Sequence, residues 1–296
     1  MSRKLHKAQL VIGTVQFGMN YGINNTVGKP SIDNVRQILS EAKDNGITEL
    51  DTAQAYGDSE DCIYKALGTD VNEYTIHSKF LLKRQNTSDQ IDDLLKLSLK
   101  TLHVNKLGYF FFHDFSEFDI NRNKKMSSDF LINHSLGLGV SLYSIDELKK
   151  AVDTPWINAI QLPVNIFDYS DEKLKLLSEA SARGQKIYCR SVFLQGLFFK
   201  NPAALPAQLQ PLKSNLLELQ KIAKTAHLSV ADLALGFAKN IVNLDGVLVG
   251  VDTVLQLNEN IKSFNLELST EILSKLKNLN VKDHAHLLHP KNWNTV

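Results

Sequence analysis

The feature that most constrains this chain is a regular alternation between short apolar runs and longer segments with helical periodicity. The apolar runs have strand length, and nearly every residue in them is apolar, as in parallel strands buried on both faces. Alternation of such strands with helices through short loops indicates parallel βαβ units. The predicted strands cover residues 10–15, 47–51, 74–79, 107–113, 138–143, 159–164, 186–192 and 246–251.

Eight βα units in a chain of 296 residues favour an α/β fold of the closed (β/α)8 type, the TIM barrel. An open doubly wound sheet lacks its fingerprint, because no Gly-x-Gly-x-x-Gly follows the first strand. Composition does not shift along the chain, so we predict one domain over residues 1–296, with an irregular tail from about residue 281. We also predict a weak helix over 123–134 and a proline-rich loop over 200–211.

Composition argues against several classes of function. The chain carries 33 basic and 32 acidic side chains and a formal net charge of +1, so no overall field favours nucleic acid or a membrane surface. Its two cysteines, Cys62 and Cys189, are too few for a disulfide framework. No apolar run approaches the roughly 20 residues of a membrane span, and the basic N-terminus lacks the apolar core of a signal peptide. We therefore expect a soluble cytoplasmic protein.

Polar side chains stand where three consecutive predicted strands end. Asp51 ends the second strand and Tyr56 follows it, Lys79 ends the third strand, and His113 ends the fourth. Taken singly, Asp51 could be a helix cap, Lys79 a solvated rim residue and His113 a structural group. Together they are about one βα unit apart, so they predict one site at the carboxyl end of the barrel, where barrel active sites lie.

The chemistry that this group supports is proton transfer. A lysine ammonium beside a phenol stabilises the phenolate, so we expect Lys79 to lower the pKa of Tyr56 from its usual value of about 10. Asp51 would keep Lys79 charged, and the imidazole of His113 could donate a hydrogen bond to a carbonyl oxygen. The group contains no nucleophile, metal triad or carboxylate pair, which argues against hydrolase, metalloenzyme and glycosidase chemistry.

These residues, in this order, resemble the catalytic tetrad of the aldo-keto reductases. The resemblance covers nearly the whole chain. It extends to the segments Leu10-Val11-Ile12-Gly13-Thr14, Gly139-Val140-Ser141, Asn158-Ala159-Ile160-Gln161, Arg190-Ser191, Gln195-Gly196-Leu197 and Gly250 with Gln256, Glu259 and Asn260. It implies that Tyr56 is the general acid, that Lys79 and Asp51 tune it, and that His113 orients the substrate carbonyl. It also implies hydride transfer with NADP(H) or NAD(H) and no metal.

The resemblance implies cofactor-binding positions on five strand ends. Ser141 and Gln161 match the positions that hold the carboxamide, and the position of Asp51 lies close to the cofactor in this family. Ser191, Phe193, Gln195 and Leu197 match the loop along the pyrophosphate. Gly250, Gln256, Glu259 and Asn260 match the segment after strand eight, where Glu259 and Asn260 correspond to adenine-binding positions.

Three departures from the family pattern concern the cofactor. Leu142 follows Ser141 where an asparagine is common. Arg190 stands where the family often has the aromatic that stacks on the nicotinamide; a guanidinium plane can also stack on a ring, or Arg190 could instead pair with a carboxylate. After strand eight no Lys or Arg precedes Lys262 to bind a 2′-phosphate. Asp252 would repel that phosphate or accept from a free 2′-hydroxyl, unless it simply caps the next helix.

The substrate side is less constrained. Besides Tyr56 and His113, the loop residues Phe17, Tyr21, Phe115 and Asn165 could line a pocket or serve only loop packing. The loop after His113 is short, which suggests an open cleft for a small carbonyl or alcohol of sugar size. The tail with Trp293 could fold over the mouth or pack elsewhere.

Two functions remain open at this point. One is an oxidoreductase that interconverts a carbonyl and an alcohol with NAD(P)(H). The other is a non-catalytic nicotinamide-binding or regulatory protein on the same fold, like the potassium-channel β-subunits that resemble reductases. The complete set of four tetrad residues favours the enzyme. As an assembly we expect a monomer or a weak homo-oligomer.

Overall fold

Eight parallel strands close into a barrel in the order of the sequence, and β8 pairs with β1. The computed structural model describes residues 8–23, 25, 28–82, 88–124, 126 and 128–293. The strands are Gln9–Gly13 (β1), Glu49–Asp51 (β2), Thr75–Phe80 (β3), Tyr109–Phe112 (β4), Gly137–Ser141 (β5), Ile157–Pro163 (β6), Lys186–Arg190 (β7) and Gly246–Gly250 (β8). All eight predicted strands and the (β/α)8 TIM-barrel prediction are therefore confirmed, with ends shifted by up to two residues.

Twelve α-helices lie in the described part of the chain, and the longer ones form the outer layer. They are Val15–Gly18 (α1), Ile32–Asp44 (α2), Ser59–Leu67 (α3), Ser88–Leu102 (α4), Phe115–Asn121 (α5), Asp129–His134 (α6), Ile145–Val152 (α7), Asp171–Ala182 (α8), Lys213–Ala226 (α9), Val230–Lys239 (α10), Val254–Asn265 (α11) and Thr270–Lys277 (α12).

Hydroxyl side chains start most of these helices. The Ser31 side chain accepts from Asn34 N at the start of α2, and the Thr253 side chain accepts from Gln256 N at the start of α11. Ser144 and Glu147 form a reciprocal capping box on α7. Such caps satisfy backbone N–H groups that have no partner inside the helix, at about 1 kcal/mol each. They fix where each helix leaves the barrel mouth.

Three regions differ from the sequence-based expectation. The helix predicted over 123–134 is wrong in its first part: the chain forms α5 and α6 instead, because Asp114 and Ser128 each cap a helix. The predicted loop over 200–211 contains 3-10 helices at Pro202–Ala204 and Ala207–Leu212. A further 3-10 helix, Leu194–Phe199, precedes them. The tail from residue 282 also has 3-10 turns, at Ala285–Leu288 and Pro290–Asn292.

The core has two parts. A large cluster fills the layer between strands and helices, and a smaller one of Val11, Phe111, Ala159, Tyr188 and Leu248 lies inside the barrel. Gly139 makes room for the inner aromatic layer, since a Cβ there would lie 2.4 Å from the Phe111 ring. A fully buried Phe side chain stabilises the fold by about 1.5–3 kcal/mol, so this layer is a packed core that closes the lower part of the barrel.

The basic N-terminal segment falls largely outside the described residues, which begin at residue 8. Among the helices that the structure describes, none is both long and apolar enough to cross a membrane.

Candidate active site

The ends of three neighbouring strands bring an acid, an amine and an imidazole to one rim of the barrel. Asp51 is the last residue of β2, Lys79 is the second-last residue of β3, and His113 directly follows β4. Parallel strands end at the same edge of a sheet, so residues 28 and 34 positions apart in sequence become neighbours. We call Asp51, Tyr56, Lys79 and His113 the β2–β4 rim.

Asp51 and Lys79 form a buried ion pair. Lys79 Nζ donates to Asp51 Oδ2 over 2.5 Å and to the carbonyl oxygen of Thr52 over 2.9 Å. The second carboxylate oxygen, Oδ1, accepts from Gln161 Nε2 over 2.7 Å. Only 3% of Asp51 and 1% of Lys79 is exposed, so each charge depends on the other for compensation. Gln161, a candidate cofactor-binding residue, thus also orients the carboxylate of Asp51.

Tyr56 lies in the turn between β2 and α3, where backbone contacts fix its position. Its N–H donates to the carbonyl of Ala53 over 3.0 Å, and its carbonyl accepts from Ser59 N over 3.1 Å. Gly18, in the last turn of α1, packs so closely that a Cβ there would lie 1.7 Å from the carbonyl oxygen of Tyr56. Only glycine fits at position 18, and the close contact helps to fix the backbone of Tyr56.

The Tyr56 ring lies close to both Lys79 and His113. Lys79 Nζ lies 4.9 Å from the centroid of the Tyr56 ring. The ring centroids of Tyr56 and His113 are 5.6 Å apart with an interplanar angle of 86°. His113 Nδ1 is buried and has no hydrogen-bond partner in the described structure.

The proton state of this rim differs from the expectation. Burial raises the pKa of Tyr56, the Asp51 carboxylate raises it further, and only Arg190 among its larger influences lowers it. The expectation that Lys79 lowers this pKa is therefore wrong, because desolvation outweighs any effect of the ammonium whose charge Asp51 balances. Burial, followed by the Lys79 charge, lowers the pKa of His113 to about 4. At neutral pH the rim therefore presents a phenol and a neutral imidazole.

β5 and β6 continue the rim with buried polar groups. Ser141 pairs in register with Gln161, and both side chains are buried. Asn165, just beyond β6, donates from Nδ2 to the carbonyl of Ser191 over 3.1 Å, and its Oδ1 accepts from the backbone of Phe167 and Asp168. Asn165 thus links the loops after β6 and β7 by hydrogen bonds. This is the loop-packing role that was the alternative to a substrate contact.

Arg190 ends β7 and lies on an aromatic ring. Its Cζ is 4.1 Å from the centroid of Tyr143, and its guanidinium donates to the carbonyl of Leu142 over 3.0 Å and to Ser191 Oγ over 3.4 Å. A carboxylate partner, the alternative considered for Arg190, does not occur among the described residues. We call Arg190 and Asp252, with the loops that carry them, the β7–β8 rim.

The loop after β7 has an unusual backbone. Ser191, Leu194 and Gln195 have φ values of 60°, 47° and 52°, in the left-handed region that costs non-glycine residues about 1 kcal/mol or more each. Gln195 Nε2 donates to the hydroxyl of Tyr21 over 2.6 Å. The side chain of Leu197 is fully buried, so only its backbone could face a ligand. Phe193 is partly buried and packs on the core.

Asp252, in the segment after β8, is not the cap of the helix that follows. Thr253, not Asp252, caps α11. Asp252 Oδ1 instead accepts from Asn25 Nδ2 over 3.3 Å, and its backbone N–H donates to Gln256 Oε1 over 2.7 Å. On α11, Glu259 is exposed and Asn260 is buried.

Of the three other candidate substrate residues, two pack against the protein and one is exposed at the barrel mouth. Phe17 is fully buried in the core, and Phe115 begins α5, where its ring lies 5.3 Å from that of Phe118. Both therefore follow the packing alternative. Tyr21 remains at the mouth, 37% exposed, where desolvation of its hydroxyl and the proximity of Tyr56 raise its pKa to about 12.

The tail lies over this mouth. The ring of His289 is 4.8 Å from that of Tyr143, and Lys291 Nζ is 5.3 Å from the same ring. Trp293 anchors the tail, since it is buried and its Nε1 donates to the carbonyl of Leu287 over 2.7 Å.

A family model for the aldo/keto reductase family matches residues 9–281, which span all eight strands. The chain belongs to this family. The assignment supports NAD(P)-dependent oxidoreduction in general terms and a small-molecule carbonyl substrate. No curated protein sequence matched the chain.

Solved structures agree with the fold of an aldo-keto reductase. A holo-form aldo-keto reductase from Bacillus halodurans is 18% identical, covers 96% of this chain and 98% of its own, and has a TM-score of 0.69. An aldo-keto reductase from Bombyx mori in complex with NADP is also 18% identical, covers 93% of this chain and 90% of its own, and has a TM-score of 0.63. Identities this low support the shared barrel alone.

The mouth of this aldo-keto reductase fits a nicotinamide cofactor in one respect. Buried polar atoms at the mouth lack partners among the described residues, namely His113 Nδ1 and Gln16 Oε1. Gly250 leaves room for the Gln16 amide, since a Cβ there would lie 2.2 Å from Gln16 Nε2. Within the described residues no group of three or more metal-ligating side chains occurs.

Sequence reasoning missed four residues of this mouth: Gln16, Tyr143, His289 and Lys291. Gln16 and Tyr143 follow β1 and β5 closely, so the strand-end rule applied to β2–β4 would have found them. His289 and Lys291 carry no such signal, because a tail without regular structure has no register that fixes its position.

Proposed function

We propose that this aldo-keto reductase interconverts an aldehyde or ketone and the corresponding alcohol with NAD(P)(H), and that Tyr56 is its general acid and base. One observation carries the proposal: the buried Lys79–Asp51 ion pair lies beside the phenol of Tyr56, and the phenol in turn lies beside the neutral imidazole of His113. A bound nicotinamide would supply or accept the hydride. The residues described below supply the proton, the orientation and the binding contacts.

Tyr56 is suited to donate the proton. Its raised pKa keeps the phenol protonated through neutral pH, so a proton is available when a carbonyl oxygen becomes an alkoxide. In the oxidation direction the same group must take the proton back.

His113 is suited to orient the substrate. With a pKa lowered to about 4 it is neutral at neutral pH and can donate one N–H to the carbonyl oxygen without adding charge. Lys79 and Asp51 act as positioning residues, since they fix the electrostatic surroundings of the phenol while remaining buried themselves.

We further propose where the cofactor is held. Asp51, Ser141 and Gln161 form the polar floor beside Tyr56, suited to the carboxamide end. The Ser191–Leu197 segment, which includes Phe193 and Gln195, has the left-handed backbone typical of anion-binding turns, and we propose that it lies along the pyrophosphate. Gly250, Gln256, Glu259 and Asn260 line the segment proposed for the adenosine end, and Arg190 stands between the two regions.

The cofactor preference proposed is NAD(H) over NADP(H). Asp252 does not cap α11, and its carboxylate has no ion-pair partner among the described residues, although it contacts the side-chain amides of Asn25 and Gln256. A carboxylate there would accept from a ribose 2′-hydroxyl and repel a 2′-phosphate. Burial raises the pKa of Asp252, and the Gln256 contact opposes that rise.

The substrate proposed is a small carbonyl or alcohol, with a sugar as one candidate, that enters between Tyr21 and the tail. We also propose a cytoplasmic protein, in keeping with two buried free thiols, and a monomer or weak homo-oligomer.

The alternative function is a nicotinamide-binding regulator without turnover. Quenching of intrinsic fluorescence by NADH or NADPH measures binding, and both functions predict it. Turnover separates them: we expect 4-nitrobenzaldehyde and C4-deuterated cofactor to give an alcohol that carries deuterium at the former carbonyl carbon. Binding without deuterium transfer to any member of an aldehyde, ketone and sugar panel would favour the regulator.

A further inference from the structure

Two cations contact one aromatic ring at the far side of the mouth. Arg190 Cζ lies 4.1 Å from the centroid of Tyr143, and Lys291 Nζ lies 5.3 Å from the same centroid. Neither cation forms an ion pair with any of the described residues. The tail, anchored by the buried Trp293, supplies one of the two, so the pair brings together segments about 100 residues apart in sequence.

Both cations keep free hydrogen-bond donors. A guanidinium has five N–H donors. In the described structure Arg190 uses Nη2 for the carbonyl of Leu142 and Nη1 for Ser191 Oγ, which leaves most of its donors for a ligand. Lys291 is exposed and makes no hydrogen bond through its ammonium to a described residue.

The carboxylates near the tail are already engaged. Asp114 accepts from the backbone and hydroxyl of Ser116 as the cap of α5, Glu147 closes the capping box of α7, and Asp168 pairs with Lys173. Burial raises the pKa of Asp114, but the hydrogen bonds from Ser116 and, to a smaller extent, the charge of Lys291 lower it below its usual value. The local positive charge therefore has no dedicated internal partner.

The cations border the reaction site proposed above. Burial and Lys79 dominate the lowered pKa of His113, but Arg190 and Lys291 both contribute to it. Burial and Asp51 chiefly raise the pKa of Tyr56, whereas Arg190 lowers it and Tyr143 raises it further. An anion held by this pair would thus lie beside the carbonyl-binding groups.

We propose that Arg190 and Lys291, which both contact the Tyr143 ring, bind an anionic group on the carbonyl substrate, a carboxylate or a phosphate. The inference rests on the proposed function and narrows it to keto or aldehydo substrates that carry such a group. Arg190 supplies a planar donor set that matches two oxygens of the anion, and Lys291 supplies a compact charge from the tail.

Matched aldehydes test the inference. The set is 4-carboxybenzaldehyde, 4-formylphenyl phosphate and the neutral 4-formylbenzamide. We expect kcat/KM for at least one anionic aldehyde to exceed that of the amide about tenfold or more, the range of a charge-assisted hydrogen bond. The excess should shrink as salt is raised, because screening weakens an exposed charge pair. Which aldehyde is preferred distinguishes carboxylate from phosphate.

Variants link the preference to the two side chains. Arg190→Gln and Lys291→Gln should each lower the ratio of kcat/KM for the anionic and neutral aldehydes about tenfold. The ratio is taken within each variant, so altered folding or cofactor binding cancels. Lys282→Gln changes an exposed lysine of the same tail and should leave the ratio unchanged. A wild-type ratio near one, or an unchanged ratio in both variants, would overturn the proposal.

A binding measurement separates this inference from the proposed function. The unreactive 4-carbamoylbenzoate should bind more tightly than neutral terephthalamide, and both variants should remove the difference. If the acid shows that preference but no aldehyde is reduced, the anion site stands and the reductase proposal fails. If the aldehydes are reduced without preference and the acid gains nothing from its charge, only the anion site is rejected.

Discussion

The two sides of this barrel mouth are built in different ways. On the β2–β4 rim, Asp51 and Lys79 are strand residues that neutralise each other while almost fully buried. On the β7–β8 rim, Arg190 and Asp252 project from strand ends and loops, and neither has an ion-pair partner among the described residues.

The difference separates chemistry from ligand choice. A compensated buried pair costs a great deal to disturb, so the β2–β4 rim is a fixed environment for the phenol. Uncompensated charges at the edge of solvent are free to meet a ligand, so the β7–β8 rim and the tail are where different cofactors and substrates can be distinguished. Substitutions on the first rim should therefore affect folding and reaction together, and those on the second should affect selectivity.

The largest effect is expected when the buried ion pair is broken. Lys79→Met leaves Asp51 charged and buried without its partner, which should lower the free energy of unfolding by about 3–5 kcal/mol. Denaturant titration measures the loss. The double variant Asp51→Asn with Lys79→Met removes both charges and should recover much of the stability without recovering turnover. A loss in the double variant equal to the sum of the losses in Lys79→Met alone and Asp51→Asn alone would show that the two charges are not coupled.

A smaller effect, confined to selectivity, is expected on the other rim. Asp252→Arg replaces a repelling charge with an attracting one, so the ratio of kcat/KM with NADPH to that with NADH should rise about tenfold or more. Asp44→Arg, an exposed residue at the end of α2, serves as the matched charge change. If the two variants give the same ratio, Asp252 has no part in cofactor choice.

The smallest effect concerns acid stability. The folded protein binds a proton on His113 only near pH 4, whereas an unfolded histidine binds one near pH 6.5. Between these values the unfolded state holds more protons, so the free energy of unfolding falls as the pH drops from about 6.5 to about 4. His113→Gln should make this fall shallower, and His284→Gln, at an exposed tail position, should not. Parallel pH curves for wild type and His113→Gln would contradict the assignment.

The same contrast explains what could be predicted from the sequence. The strands and the meeting of Asp51, Lys79 and His113 follow from alternation and register, because a barrel strand has one carboxyl end and that end lies at the mouth. The sequence also shows that Arg190 and Asp252 differ from the residues usual in the family, because that comparison requires only an aligned position in the chain.

Features that depend on packing were not visible. The raised pKa of Tyr56 reflects burial, which no spacing encodes, and sequence reasoning that counted only the neighbouring ammonium reached the opposite direction. The left-handed backbone at Leu194 and the contacts of Lys291 with Tyr143 depend on loops and a tail without a periodic pattern. The sequence does not reveal helix α5, although Asp114 is a possible cap, because its seven residues are too few to show a helical period.

The most direct test of the account is hydride transfer in a single turnover of the Tyr56→Phe variant. Mixed rapidly with aldehyde under saturating NADH or NADPH, the variant should oxidise the cofactor at least about 10²-fold more slowly than wild type, because it lacks the proton donor. The dissociation constant of the cofactor should stay within about twofold, and Tyr64→Phe on α3 should behave as wild type. A Tyr56→Phe variant that transfers hydride at the wild-type rate would contradict the central claim.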